Sequence, residues 1–200
     1  MREGRTALIL VGGEARRSGG KEKYFFSYKG RSFISHLVET LSTVVDEIII
    51  VARDSDQCQR FSDIPGIKTV ADDIRGIGPL GGVGAGVGAA SHDQIFITAC
   101  DMPCIRSDIV RYLFDELHDA EAAVPCWSED MFEPLHAVYR REPLLHYLAS
   151  PSSHSLRAMV RGLHTRFVPV DKLRAIDPDL VTFTNINDLT ELEAINGSLS

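Results

Sequence analysis

The chain has 200 residues, 44% of them hydrophobic and 24% charged, which is a typical composition for one globular domain. Its formal net charge is −7, whereas proteins that bind nucleic acid without sequence preference are usually basic. The charge therefore argues against DNA or RNA as a partner, although a local basic cluster could still bind an anionic small molecule. We expect a single domain over residues 1–200.

The N-terminal sequence predicts neither a secretion signal nor a membrane anchor. The apolar run at residues 7–11 is shorter than a signal-peptide core, and glycines follow it where a cleavage site would stand. No stretch approaches the ~20 apolar residues that a membrane span requires. We expect a cytoplasmic protein that has no membrane partner.

Short apolar runs alternate with helical patterns along the chain. In chain order, the patterns predict a strand at 6–11, a helix at 31–44 with Ser32 as N-cap, strands at 47–52 and 67–71, a helix at 83–90, a strand at 94–99, a helix at 107–118, strands at 122–125 and 135–139, helices at 142–149 and 155–161, a strand at 166–170 and a helix at 188–195. The strand at 135–139 is expected to be antiparallel. Such alternation predicts an α/β fold with a mostly parallel central sheet.

The segment 10–23 follows the first strand and contains four glycines and four basic residues. Glycines let backbone N–H groups approach phosphate oxygens, and the basic side chains add positive charge. It is not a Walker A loop, because Ala15 stands where a glycine is required and Glu22 follows Lys21. Ligands bind at the carboxyl ends of parallel strands, so this loop predicts a phosphate site of another kind.

Residues 76–81 match the dinucleotide-binding pattern Gly-x-Gly-x-x-Gly, which leaves an NAD-dependent oxidoreductase as an alternative. However, four residues separate the pattern from the strand end at Ala71, and Pro79 removes a backbone donor. We expect residues 78–82 to form a loop that leads into the helix at 83–90.

Asp101 directly follows the strand at 94–99 and Cys100. A carboxylate at this position suits Mg²⁺, which takes few protein oxygens and completes its shell with phosphates and water. The alternative is a turn or helix-capping role for Asp101, because Pro103 and Ser107 are typical of the start of a helix. Together with the glycine-rich basic loop, the pattern favours the metal role.

Taken together, these residues resemble the nucleotidyltransferases with a Rossmann-like sheet and, more narrowly, the molybdenum cofactor guanylyltransferases. The resemblance rests on segments in the family's order: 10–13, 17–20, Lys23, Asp72, 78–82, 100–105, 134–140 and 184–187. It implies a three-layer α/β sandwich of the nucleotide-diphospho-sugar transferase type. Val11, Ser18, Glu22 and Val51 depart from the residues usual in the family.

The resemblance implies a Mg²⁺-dependent transfer of GMP from GTP to molybdopterin, with release of pyrophosphate. Proteins that deliver or receive the molybdenum cofactor would be transient partners. The implied catalytic residues are Arg17, Lys23 and Asp101, with Asp101 as the metal ligand. The implied GTP-binding residues are Leu10, Val11, Gly12, Gly13, Lys23, Asp72, Gly82 and Asp101. Asn185 and Asn187 would bind the acceptor.

Several alternatives stay open at this stage. Either Asp72 or Asp73 would read the base, since only one of two neighbouring strand residues points inward. One alternative function is a nucleotidyltransferase that uses another base or acceptor, such as a cytidylyltransferase of the same cofactor or a sugar-phosphate enzyme. Another is a regulator that binds nucleotide without catalysis. Trp127 and Phe132 border an acceptor pocket or cover the core. The seven histidines form no metal-like pair, so we expect structural or solvent roles for them.

Overall fold

The structure is a computed structural model that describes residues 3–11, 26–28, 30–72 and 78–186. Its elements are β1 (Arg5–Leu10), β2 (Ser27–Tyr28), β3 (Arg31–Ser32), α1 (Phe33–Ser42), β4 (Glu47–Ala52), α2 (Ser55–Gln59), β5 (Lys68–Ala71), α3 (Pro79–Ala89), β6 (Gln94–Ala99), α4 (Ser107–Asp115), β7 (Ala122–Ser128), β8 (Met131–Phe132), β9 (His136–Arg140), α5 (Arg141–Ala149), α6 (Leu156–Gly162), β10 (Thr165–Pro169), α7 (Val170–Leu173) and a 3-10 helix (Val181–Phe183). None of the helices in these ranges is long and apolar enough to cross a membrane.

The central sheet has eight strands in the order β10-β7-β9-β6-β1-β4-β5, with β8 paired to the end of β7. Strand β1 pairs in parallel with both β4 and β6, and β4 pairs in parallel with β5. Strand β9 is antiparallel to both of its neighbours, β6 and β7, as expected for residues 135–139. The carboxyl ends of β5, β4, β1, β6 and β7 therefore lie at one edge of the sheet, which we call the carboxyl edge.

Two helical layers cover the sheet, which confirms the predicted three-layer α/β fold. Ala7 and Ile9 point to a core that also contains apolar residues of α1, α4 and α7. Leu8 and Leu10 point to the opposite core, which contains apolar residues of α3, α5 and α6. This alternation explains why the first strand is apolar throughout, since both of its faces are buried.

Several predicted boundaries are confirmed and others are wrong. Ser32 is the N-cap of α1, and its hydroxyl accepts a hydrogen bond from the Ser35 N–H at 3.3 Å. The expected loop at 78–82 is wrong, because α3 already begins at Pro79, where a missing N–H costs no helical hydrogen bond. Gly78 makes the turn before it with a φ of 65°. The helix predicted at 188–195 lies outside the described residues.

Helix α3 packs closely on the sheet because Gly86 has no side chain. A Cβ at Gly86 would lie 2.8 Å from both Leu8 Cδ1 and Val51 Cγ2, closer than real Cβ atoms approach. Leu8 and Val51 are themselves buried, so they have little space in which to move away. Gly86 therefore sets the distance between α3 and the strands β1 and β4.

At the opposite edge of the sheet, the carboxylate of Glu47 joins three segments of the chain. It accepts hydrogen bonds from the Thr6 hydroxyl at 2.7 Å and from the Ser91 N–H and hydroxyl, both at 2.8 Å. Lys68 completes the cluster with an ion pair. Burial alone would raise the pKa of Glu47, but the hydrogen bonds from Lys68, Ser91 and Thr6 outweigh it and lower the pKa to about 2.

We predict that Gly86→Ala destabilises the fold by about 1–2 kcal/mol, because overpacking outweighs the gain in helix propensity. The matched control is Gly88→Ala in the same helix, where the residue is exposed and no described atom outside the helix backbone lies within 4 Å of the new Cβ. That variant should gain about 0.5 kcal/mol. Urea unfolding measures both changes, and an equal effect of the two substitutions would contradict the packing argument.

We predict that Glu47 contributes to the acid sensitivity of the fold. A carboxyl group whose pKa is lower in the folded state stabilises the fold above its unfolded pKa, and this contribution is lost as the pH falls towards 2. Glu47→Gln should therefore be less stable than the wild type by about 1–3 kcal/mol at neutral pH, and the difference should shrink below about pH 4.5. Unfolding free energies measured across this range test the prediction, which a constant difference would contradict.

Candidate functional site

Backbone hydrogen bonds continue past the strand ends and align the residues at the carboxyl edge. The Val11 N–H donates to a carbonyl of β4 at 3.0 Å, and the Cys100 N–H donates to the Leu10 carbonyl at 3.0 Å. The Asp72 N–H donates to the last carbonyl of β4 at 2.7 Å. Leu10, Asp72 and the Cys100-Asp101 pair, which are far apart in sequence, are thereby held along one line.

The first turn of α3 lies against this line at Gly82. A Cβ placed on Gly82 would lie 3.6 Å from Leu10 Cδ2, 3.6 Å from Val51 Cγ1 and 3.8 Å from Asp72 Oδ2. Three residues predicted to bind nucleotide, Leu10, Asp72 and Gly82, are therefore brought together. Val51, which the sequence did not predict to bind nucleotide, lies beside them.

This corner of the site combines an apolar surface with a carboxylate. Leu10 is 8% exposed and Val51 is 2% exposed, so both pack into the sheet and present little polar surface. Asp72 is partly exposed, and its Oδ2 faces the amino end of α3, where the helix dipole favours negative charge. The arrangement suits a flat ring whose edge carries hydrogen-bond donors.

Asp101 lies on the other side of β1, at the end of β6. Its Oδ1 is buried, and its backbone carbonyl accepts a hydrogen bond from the Ile186 N–H at 2.8 Å. Ile186 is fully buried against Phe26 and Phe33, while its neighbour Asn185 is exposed. The structure therefore brings Asn185, a predicted acceptor residue, next to the segment that carries Asp101.

The donor set around Asp101 fits a magnesium ion that takes most of its ligands from elsewhere. Within the described ranges, no three histidine, cysteine, aspartate or glutamate residues cluster as a closed metal cage would require. Mg²⁺ commonly binds one or two carboxylates and takes its remaining oxygens from substrate phosphates and water. A single carboxylate at a strand end meets that requirement.

A buried polar cluster fixes the segment that leads to Asn185. The Thr182 N–H donates to Asp177 Oδ2 at 2.9 Å, and the Thr182 hydroxyl accepts from the Arg106 N–H at 3.2 Å and lies 3.3 Å from His136 Nε2. Burial lowers the pKa of His136 to about 3, so its ring stays neutral. The role of His136 is structural, as expected, and no sequence pattern pointed to Asp177 or Thr182.

The other residues predicted for the site differ in their exposure, and some lie outside the described residues. Phe132 is buried, so it covers the core, whereas Trp127 is 37% exposed. Val11 is 5% exposed, and its N–H is used in the sheet. Six candidates lie outside the described residues: Gly12, Gly13, Arg17, Lys23, Asp73 and Asn187.

Comparison with known proteins adds independent findings. A family model described as the MobA-like NTP transferase domain matches residues 7–167. The chain is 37% identical to the probable molybdenum cofactor guanylyltransferase of Methanosarcina acetivorans, over 98% of this chain and 91% of that protein. It is 34% identical to the molybdenum cofactor guanylyltransferase of Desulfosudis oleivorans, over 97% of this chain and 95% of that protein.

A solved structure agrees with these matches. Molybdopterin-guanine dinucleotide biosynthesis protein A from Archaeoglobus fulgidus superposes on the chain with a TM-score of 0.81 and 26% identity, covering 97% of this chain and 98% of that one. The relatives and the solved structure match nearly the whole length and the family model matches residues 7–167, so the chain belongs to the family of MobA-like NTP transferase domains.

Proposed function

We propose that this protein transfers GMP from GTP to molybdopterin, forming molybdopterin guanine dinucleotide and releasing pyrophosphate. The observation that carries the proposal is the alignment of Leu10, Asp72, Gly82 and Asp101 along one edge of the sheet in a member of this family. The names of the relatives from Methanosarcina and Desulfosudis support the choice of base and acceptor.

The corner formed by Leu10, Val51, Asp72 and Gly82 is proposed to bind the guanine base. The ring would lie against Leu10 and the backbone of Gly82, where no side chain intervenes, and Val51 would complete the apolar lining. The carboxylate of Asp72 would accept hydrogen bonds from guanine N1–H and N2–H₂. Neither adenine nor cytosine offers this pair of adjacent donors, so one carboxylate would select the base.

Asp101 is proposed to hold Mg²⁺ beside the triphosphate, with Arg17 and Lys23 binding phosphate oxygens. When bound, Mg²⁺ would offset the charge on the phosphates. A terminal phosphate oxygen of molybdopterin would attack the α-phosphorus of GTP, and the bond to the β-phosphate oxygen would break as pyrophosphate leaves with the electron pair. The attacking oxygen is already an anion. Asp101, Arg17 and Lys23 therefore need only position the charged groups and stabilise the charge on the phosphates.

The acceptor is proposed to approach from the side of Asn185 and Asn187. Asn185 is exposed beside Ile186, whose N–H is bonded to the Asp101 carbonyl. An amide side chain at this position would donate to the acceptor phosphate or to polar atoms of its ring system. The buried cluster of His136, Thr182 and Asp177 would hold this segment in place while the two anions approach.

The direct test is pyrophosphate release by the purified protein with Mg²⁺ and molybdopterin, comparing GTP, CTP, ATP and UTP. We expect release that requires molybdopterin and Mg²⁺ and that is fastest with GTP. Preference for CTP would keep the chemistry but overturn the role given to Asp72. Binding of GTP without any release would instead indicate another acceptor or a regulator.

We predict that Asp101→Ala and Lys23→Ala each lower turnover about a hundredfold or more in this assay, because Asp101 would hold the Mg²⁺ that offsets phosphate charge and Lys23 would bind phosphate directly. Asp63→Ala serves as the matched control, since Asp63 is an exposed carboxylate between α2 and β5. It should retain wild-type turnover. Near wild-type turnover of the Asp101 variant would remove that residue from the mechanism.

A further inference from the structure

The only tryptophan of the chain, Trp127, lies at the carboxyl edge but on the side of Asp101 away from the base corner. Strand β7 is antiparallel to β9, and β9 is antiparallel to β6, so β6 and β7 run in the same direction. Trp127 is near the end of β7 and 37% exposed, an unusual exposure for so large an apolar side chain. The end of the strand that carries Asp101 therefore lies between Trp127 and the base corner.

The indole of Trp127 is held in a fixed orientation. Its Nε1–H donates to Glu133 Oε1 at 2.8 Å, and the Glu133 N–H donates to the Pro125 carbonyl at 2.9 Å. The ring of Phe183 meets the indole in an edge contact, with centroids 5.6 Å apart and planes inclined by 63°. Trp127 is thus a preorganised aromatic surface, since the polar group of the indole is satisfied by Glu133 and its ring is supported by Phe183.

Phe183 also connects this surface to the segment that carries Asp101. Its ring lies 4.8 Å from that of buried His136, and Ile186, three residues further on, donates to the Asp101 carbonyl. The three residues from Phe183 to Ile186 span at most about 10 Å, and the two strand spacings from β6 through β9 to β7 add up to a similar ~10 Å. A molecule whose phosphate is near Asp101 would therefore reach Trp127 with a ring system a few bonds away.

We propose that Trp127, supported by Phe183, stacks on the planar pterin ring of the acceptor. The inference rests on the proposed function, because it identifies which part of that acceptor this surface binds. The base corner (Leu10, Val51, Asp72 and Gly82) and Trp127 lie on opposite sides of Asp101. Each substrate would therefore place its ring on its own side and its phosphate near Asp101. Such a division keeps two flat heteroaromatic rings from competing for one surface.

The test compares Trp127→Ala, which removes the ring, with Trp127→Phe, which keeps a stacking face. Loss of the stacking contact should weaken binding of the acceptor, so the KM for molybdopterin should be about ten- to a hundredfold higher in the alanine variant. The KM for GTP should stay within about two-fold of the wild-type value. The phenylalanine variant should restore most of the affinity. Met131→Ala is the matched control, because Met131 is 56% exposed on the neighbouring strand β8 and has no place in the proposed surface.

Direct binding of molybdopterin without GTP separates this inference from the proposed function. A ten-fold gap in Kd between wild type and Trp127→Ala would support the stacking role even if no pyrophosphate were released. Equal Kd and KM values for molybdopterin in the two proteins would overturn it. If the alanine variant were impaired only when a carrier protein supplies the acceptor, Trp127 would belong to a protein contact, and the inference would likewise fail.

Discussion

The parallel pairing of β6, β1, β4 and β5 is the constraint on which the rest of the site depends. Leu10 is paired with Val51 on one side and with Ala99 on the other, so the chain segments after these residues leave the sheet side by side. The close packing of α3 at Gly86 then places Gly82 where a Cβ would be in van der Waals contact with Leu10 and Val51 of the same strands. A change in register or in helix distance would separate Leu10, Asp72 and Gly82.

Asp101 divides the carboxyl edge into two halves with different chemistry. Towards β5, the surface is apolar and ends in the carboxylate of Asp72. Towards β7, it carries the aromatic pair of Trp127 and Phe183. An enzyme that joins two phosphates must bring anions together while keeping their remaining parts apart, and under the proposed function each substrate would use one half of the edge.

The sequence predicted the parts of the site that directly follow apolar strands. Asp101 became a candidate in this way, because β6 is largely buried and leaves a clear apolar pattern, whereas β5 before Asp72 is partly exposed and the role of Asp72 came from the resemblance. For Trp127 the sequence left two alternatives open, an acceptor pocket or the core, since β7 extends beyond its apolar run to Ser128 and pairs there with β8. Nor does a sequence reveal that the Ile186 N–H bonds to the Asp101 carbonyl, because backbone groups are the same at every position.

The most direct test of the proposed base corner is the equilibrium binding of GTP and ITP, which differ only in the 2-amino group of the base. If Asp72 accepts hydrogen bonds from both N1–H and N2–H₂, the wild type should bind GTP about ten-fold more tightly than ITP. In Asp72→Asn, the difference should fall to within about two-fold, because the charged acceptor is gone. Equal affinity of the wild type for both nucleotides would contradict the account, since the base would then not be read at this corner.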